Sequence, residues 1–248
     1  HADMPDWVRL EYPSWMGPSL HAIFGPRLEQ ELQALSQTAP VDLRINTLKA
    51  TREEVQSMLA GDKIEVEPTP LSPLGLRLIA CDVSRYRMDR MAPRLKRAGD
   101  DMVRRQVVSA RDDSWVKANH EMADRVLADV PCTGTGAWRR NLDAKWRFRP
   151  DDLEHLIETQ RLIMAQAASL VAPKGWLVYA TCSLLREENE EQIDWFMTEV
   201  PGFRVLPLAE VWAETVGGPP PCEGAFLRLS PASTGTDGFF CAVLGKSD

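Results

Sequence analysis

No pair of cysteines in the C-x-x-C spacing occurs in the 248 residues, and only four histidines are present. A structural zinc site needs several thiolate or imidazole ligands at short spacings, so no metal is expected. The five cysteines, Cys81, Cys132, Cys182, Cys222 and Cys241, are odd in number and widely spread. That distribution argues against a disulfide framework in a chain of this length. No apolar run approaches the roughly 20 residues of a membrane span, and no basic-then-apolar signal opens the chain. The expectation is a cytoplasmic, monomeric protein without a membrane partner. Internal repeats and low-complexity tracts are lacking too. Net charge is −7, so a broad basic grip on nucleic acid is disfavoured and any such contact must be local.

One local candidate exists. The stretch WRRNLDAKWRFRP (Trp138 to Pro150) carries five basic residues interleaved with two tryptophans and a phenylalanine. Arg and Lys neutralise phosphates while aromatic rings stack on bases. The same composition also fits a solvated loop whose tryptophans anchor in the core, and the sequence leaves both readings open.

Periodicity predicts a small α/β unit followed by a larger one. PRLEQELQALSQ has helical apolar spacing, VDLRINTL alternates as a strand, TREEVQSMLAG opens with a capping box, and KIEVEP is a further strand. The Pro- and Ser-rich TPLSPLG (Thr69 to Gly75) marks a boundary, giving units at 1–70 and 71–248. Strands and helices then alternate. LRLIACD is a strand, SRYRMDRMAPRLKRAG a helix, and VRRQVV and ADRVLAD strands. PDDLEHLIETQRLIMAQAASLVAP is a long helix with Pro150 in its first turn. GWLVYATC is a strand, EENEEQIDWFMTEV a helix, and FLRLSP with GFFCAVLG a closing hairpin. This cadence implies an α/β, Rossmann-like, doubly wound and mostly parallel sheet with chemistry at the carboxyl ends of its strands.

Two cysteines stand at such ends. VLADVPCTGTG puts Cys132 after an apolar run ending in Asp129, and LVYATCSLL puts Cys182 in the same position on another strand. Cys81 and Cys241 fall inside strands and are expected to be packing residues. A disulfide, a metal site, buried filler and paired thiol chemistry are the readings open for the strand-end pair.

DVPCTGTG with RRN-x-DAKW, then YATCSLLREENE, resembles the RNA cytosine-5 methyltransferases of the RsmB/Sun (Fmu) type. DLRINTLKATREEV is similar to that family's small RNA-binding subdomain, and GAFLRLSPASTGTDGFFCAVL to its closing segment. The resemblance implies a class I methyltransferase domain using S-adenosylmethionine on C5 of cytosine in RNA, ribosomal RNA before transfer RNA. It makes Cys182, in the TCS motif, the nucleophile that adds to C6. Cys132, in the PC motif, becomes the thiol that assists product release, and Asp129 the residue facing the cytosine edge and the methyl donor. In DNA cytosine-5 methyltransferases the PC cysteine is the nucleophile, so that relative would exchange the two roles. Asp129 has a plainer alternative as the cap of the following turn. Arg139, Arg140 and Lys145 match the family's basic loop, for RNA phosphate or for positioning. Asp82 matches the acid that holds the donor ribose, and Asp112 is the nearest counterpart of the adenine-binding acid.

The implied Gly-rich donor loop, D-x-C-A-(G/P)-x-G-G-K on the first strand, is not found. The chain passes from SPLGLRL straight to IACDVS, where several dozen residues are expected. The break falls near Leu78 and Ile79. Either a segment is missing from the sequence there, or the chain is an inactive RNA-binding relative that lacks the donor site.

Overall fold

Leu28, Leu32 and Leu35 recur at helical spacing, while Phe240, Ala242 and Leu244 alternate along a strand, and these two periods carry into the three-dimensional structure. The computed structural model describes residues 4–37, 79–98, 103–109 and 114–247. VDLRINTL, TREEVQSMLAG, KIEVEP, TPLSPLG and Asp112 lie outside the described residues. In chain order the elements are α1 (Asp6–Arg9), α2 (Gly17–Phe24), α3 (Leu28–Leu35), β1 (Ile79–Asp82), α4 (Arg85–Ala98), β2 (Arg104–Val107), α5 (Ser114–Ala118) and β3 (Ala123–Asp129). They continue with α6 (Ala144–Arg147), α7 (Pro150–Leu170), β4 (Val171–Thr181), α8 (Glu190–Glu199), β5 (Phe203–Val205), α9 (Leu208–Thr215), β6 (Leu227–Leu229), α10 (Pro231–Thr234) and β7 (Phe239–Lys246).

The chain divides into two compact units, residues 40–115 and residues 1–39 with 116–248. In the first, β1 and β2 pair in parallel from Ile79↔Arg104 to Asp82↔Val107. The connection is α4, as parallel neighbours require a crossover. Cys81, expected to be a packing residue, is exposed on β1.

In the second unit the strand order is β3-β4-β7-β5. β3 and β4 are parallel, and β7 runs antiparallel to both β4 and β5, so β3, β4 and β5 share one direction. β6 pairs with the other half of the β7 edge that β5 uses, Leu227–Leu229 against Phe239–Cys241. The α/β class, the shared strand direction and the closing antiparallel pair agree with expectation. One boundary moves: Val171, Ala172 and Pro173 belong to β4 rather than to the long helix. Proline has no N–H and forces its predecessor into extended backbone, so α7 stops before it.

Leu177 and Tyr179 of β4 and Phe240, Ala242 and Leu244 of β7 bury one face of the sheet against Met164, Ala167 and Ala168 of α7 and Ile193 and Phe196 of α8. Each large side chain buried there is worth roughly 1.5–3 kcal/mol. A second cluster joins α2 and α3 to Trp138, Leu153, Leu184 and Leu185. The N-terminal helices therefore pack directly behind the segment that follows Cys182.

Candidate active site

Because β3 and β4 are parallel neighbours, their carboxyl ends emerge side by side, with Asp129 opposite Ala180. The ladder extends one step further through Val130 N–H to Ala180 O at 3.2 Å. Pro131 then ends the pairing because it has no N–H to give. Cys132 follows on one side and Cys182 on the other, and their sulfurs stand 3.3 Å apart. That is far beyond the roughly 2.05 Å of a disulfide bond, and both cysteines are free. Of the four readings for this pair, the geometry favours two interacting thiols.

The two sulfurs share a hydrogen bond, and their acidities move in opposite directions. Either sulfur can donate in this bond, and its largest effect is to hold the Cys182 thiol below its ordinary range. Burial and the nearby Asp129 and Glu188 carboxylates oppose that shift. Cys132 is pushed far above the ordinary thiol range by the same bond, then by burial and by the charges around it. A thiolate is the nucleophilic form, so Cys182 is the better poised of the two. The pair titrates as a unit, and its two proton losses belong to both sulfurs together.

Polar side chains lock both loops. Thr133 and Thr135 from the first loop and Thr181 and Ser183 from the second are all buried. Thr135 Oγ1 accepts from Leu184 N–H at 2.7 Å and lies 3.2 Å from Ser183 Oγ. Gly134 adopts φ +67°, a left-handed turn that glycine enters without strain. Gly136 ties three segments together through backbone alone: its N–H donates to Cys182 O at 2.9 Å, and its O accepts from Gly238 N–H at 2.8 Å. A Cβ at Gly136 would stand 2.3 Å from Gly238 O. Gly136→Ala is therefore expected to cost about 1–3 kcal/mol, the usual penalty of overpacking, read as a lower urea midpoint at unchanged m-value.

The remaining predicted site residues occupy distinct places. Asp129 is exposed at the end of β3, and its side chain caps no turn among the described residues. Arg139 is only 6% exposed and, with Arg140, pairs with Asp237 in the turn before β7. Burial pushes the Asp237 carboxyl up, but Arg140 and Arg139 outweigh it and hold it below the ordinary range. Lys145 is buried, its ammonium over the rings of Trp138 and Trp146 and 3.6 Å from Glu11. Asp82 lies in the other unit at the end of β1, accepting from Ser84 N–H at 2.7 Å and pairing with Arg87 at 3.1 Å. Asp112 is outside the described residues.

Sequence reasoning missed the role of the carboxylate and amide that follow Cys182. Glu188 and Asn189 are fully buried, and burial raises the Glu188 carboxyl above its ordinary range. Both residues fall in EENEEQIDWFMTEV, which is expected to be helical from its first residue, whereas α8 begins only at Glu190. Glu190 of the same run pairs with Arg228 of β6.

Comparison with known proteins agrees with this arrangement. Residues 71–245 match the family described as 16S rRNA methyltransferase RsmB/F, and residues 12–84 match its RsmF/B-like ferredoxin-like domain. Ribosomal RNA small subunit methyltransferase B of Klebsiella pneumoniae is 31% identical over 99% of this chain and 53% of its own length. The protein of that name from Pasteurella multocida is 34% identical over 99% of this chain and 66% of its own. The crystal structure of PH0851 superposes with a TM-score of 0.82 at 27% identity, covering 97% of this chain and 67% of that one. The chain spans between 39% and 66% of the length of the curated relatives it matches. The pairing with the Pasteurella protein runs over 315 positions against 248 residues here, so dozens of positions in that relative have no counterpart in this chain. The match over residues 71–245, which contains both thiol loops, shows that the chain belongs to the RsmB/F methyltransferase family.

Proposed function

We propose that the protein transfers a methyl group from S-adenosylmethionine to C5 of a cytosine in ribosomal RNA, through a covalent bond between Cys182 and C6. The observation that carries this reading is the 3.3 Å approach of two thiols whose acidities are driven apart. C5 of cytosine is too poor a nucleophile to attack a sulfonium methyl group. The Cys182 thiolate adds to C6, and the C5–C6 π electrons become available at C5, which takes the methyl group. Asp129 faces the base and holds its N4 or a protonated N3. Once Cys182 is bonded to carbon, the negative charge opposing ionisation of Cys132 is gone, and Cys132 releases its proton to solvent. It then takes the proton from C5. The C5–H electron pair re-forms the C5–C6 double bond and expels Cys182 as thiolate. One proton is released per turnover, and both thiols return to their starting states. A base in a paired region has to be flipped out to reach them.

S-adenosylmethionine, when bound, supplies the methyl group as an activated sulfonium. The residues present fit its ribose end, where Asp82 stands partly open at a strand terminus, the usual place for a carboxylate that holds a nucleoside diol. They do not include the glycine loop for its methionine end. Arg139, Arg140 and Lys145 serve here by shaping the loop beside the thiols, with half-exposed Arg140 nearest to solvent. The segment at 1–70 is read as the RNA-binding subdomain. The missing loop favours one competing reading, an RNA binder without methyl transfer.

Labelled S-adenosylmethionine and bulk ribosomal RNA test the proposal. The expected result is label in 5-methylcytidine after digestion, with isothermal titration showing donor binding. RNA binding without donor heat or label establishes the competing reading. Label on another atom of cytosine, or on DNA alone, overturns ours.

A further inference from the structure

Glu188 and Asn189 are neighbours in sequence but serve different loops. Glu188 Oε1 accepts from Thr133 N–H at 2.9 Å and from Gln160 Nε2 at 3.0 Å, and Oε2 accepts from the Thr133 hydroxyl at 2.5 Å. Gln160 Nε2 also donates to Pro131 O at 2.9 Å. The residues on either side of Cys132 are thus held from Glu188, one directly and one through Gln160. Asn189 Oδ1 accepts from the Thr181 hydroxyl at 2.6 Å, and its Nδ2 donates to Ser183 O at 2.9 Å. Those are the residues on either side of Cys182. Tyr179 of β4 donates its hydroxyl to Glu188 O at 2.6 Å and pins the dipeptide to the sheet.

We propose that the Glu188–Asn189 pair is the positioning element that sets the separation of the Cys132 and Cys182 sulfurs, and thereby which of them carries the shared proton. Each thiol loop is bracketed by bonds that converge on two consecutive residues, so the peptide bond between Glu188 and Asn189 transmits the spacing. An apolar side chain of the same volume would fill the space without fixing direction. A buried carboxylate is costly unless bonded, and here three donor contacts offset that cost while constraining the Cys132 loop. The titratable groups facing the thiols are Asp129 from β3, Tyr179 from β4 and Glu188 itself. The sulfur–sulfur hydrogen bond is the largest influence lowering Cys182, so its strength follows the separation of the two sulfurs.

This inference rests on Cys182 as nucleophile, but its test uses neither RNA nor S-adenosylmethionine, so a protein inactive on RNA can still pass. The protein is alkylated with iodoacetamide across pH 6–10, and each cysteine is followed by peptide mass spectrometry. Wild type is expected to label Cys182 with a midpoint below that of an ordinary thiol and to spare Cys132. Glu188→Ala is expected to slow Cys182 labelling at pH 7 by about tenfold, one unit of pH displacement, and to bring Cys132 labelling up towards it. Glu188→Gln retains Oε1 as acceptor for Thr133 and Gln160 and should restore the wild-type profile. Should Glu188→Ala fail to fold, Thr133→Val, which removes only the hydroxyl contact, is expected to show the same displacement in smaller degree. A wild-type profile in folded Glu188→Ala or Thr133→Val overturns the proposal. So does a Glu188→Gln profile displaced like that of the alanine variant, since the retained Oε1 acceptor would then not hold the loop, and loss of the Glu188 charge by itself would speed Cys182 labelling rather than slow it.

Discussion

Cys182→Ala will form no covalent adduct with RNA and will transfer no methyl group, while Cys132→Ala will accumulate an adduct that survives denaturation. The contrast follows from the order of events. Without the Cys182 thiolate the ring is never activated, and turnover falls to background, a loss of roughly 10⁴-fold or more by analogy with other nucleophile deletions. Without Cys132 the addition and the methyl transfer still proceed, but no nearby base takes the C5 proton, and the thioether at C6 has no route out. Methyl transfer is then limited to a single turnover. The measurement is a gel shift of protein crosslinked to RNA, with labelled donor counted in the shifted band. If Cys132→Ala forms no adduct while Cys182→Ala does, the roles are exchanged and the chain follows the order known from DNA cytosine-5 methyltransferases. The opposite acidities of the two thiols favour the order proposed here.

The second large effect concerns Asp237. Asp237→Asn removes the carboxylate that pairs with Arg139 and Arg140 and, among the described residues, leaves the Arg139 guanidinium, its side chain 6% exposed, without a counter-charge. Breaking a buried pair from one side costs several kcal/mol. Partial solvent access at Asp237 brings the expectation down to about 2–3 kcal/mol, a fall in Tm of roughly 5–10 °C for a unit of this size. The sign with pH is fixed. The folded-state carboxyl lies below its ordinary value, so its contribution is present at neutral pH and is lost as pH falls through the folded value. The gap in Tm between wild type and variant should therefore close below about pH 4. A fall of less than about 2 °C at pH 7 would mean that Arg139 is satisfied elsewhere, for which Gly235 O at 3.4 Å is the available acceptor.

The basic loop shows where sequence reasoning reaches its limit. WRRNLDAKWRFRP has the composition of a phosphate-binding strip, yet Trp138 and Lys145 are buried and Arg139 faces Asp237, 98 residues further along. Charge and aromatic content are local properties, whereas the partner of each side chain is not. The REENE run misleads in the opposite sense. Its period places it inside a helix, but Glu188 and Asn189 precede α8 and are fully buried.

Local pattern alone determined the β3 span, the β7 span to within one residue at each end, the start of α7 at Pro150, the α/β alternation and the family, through two cysteine motifs each placed at a strand end. Alternation, proline and short spacings act within a few residues, and a sequence displays them directly. The tertiary structure decided what the cysteines do to each other. Only the parallel pairing of β3 with β4, with Asp129 opposite Ala180, brings sulfurs 50 residues apart to 3.3 Å. It also decided that Glu188 and Asn189 hold them there, because a buried hydrogen bond between distant segments leaves no periodic trace in the chain.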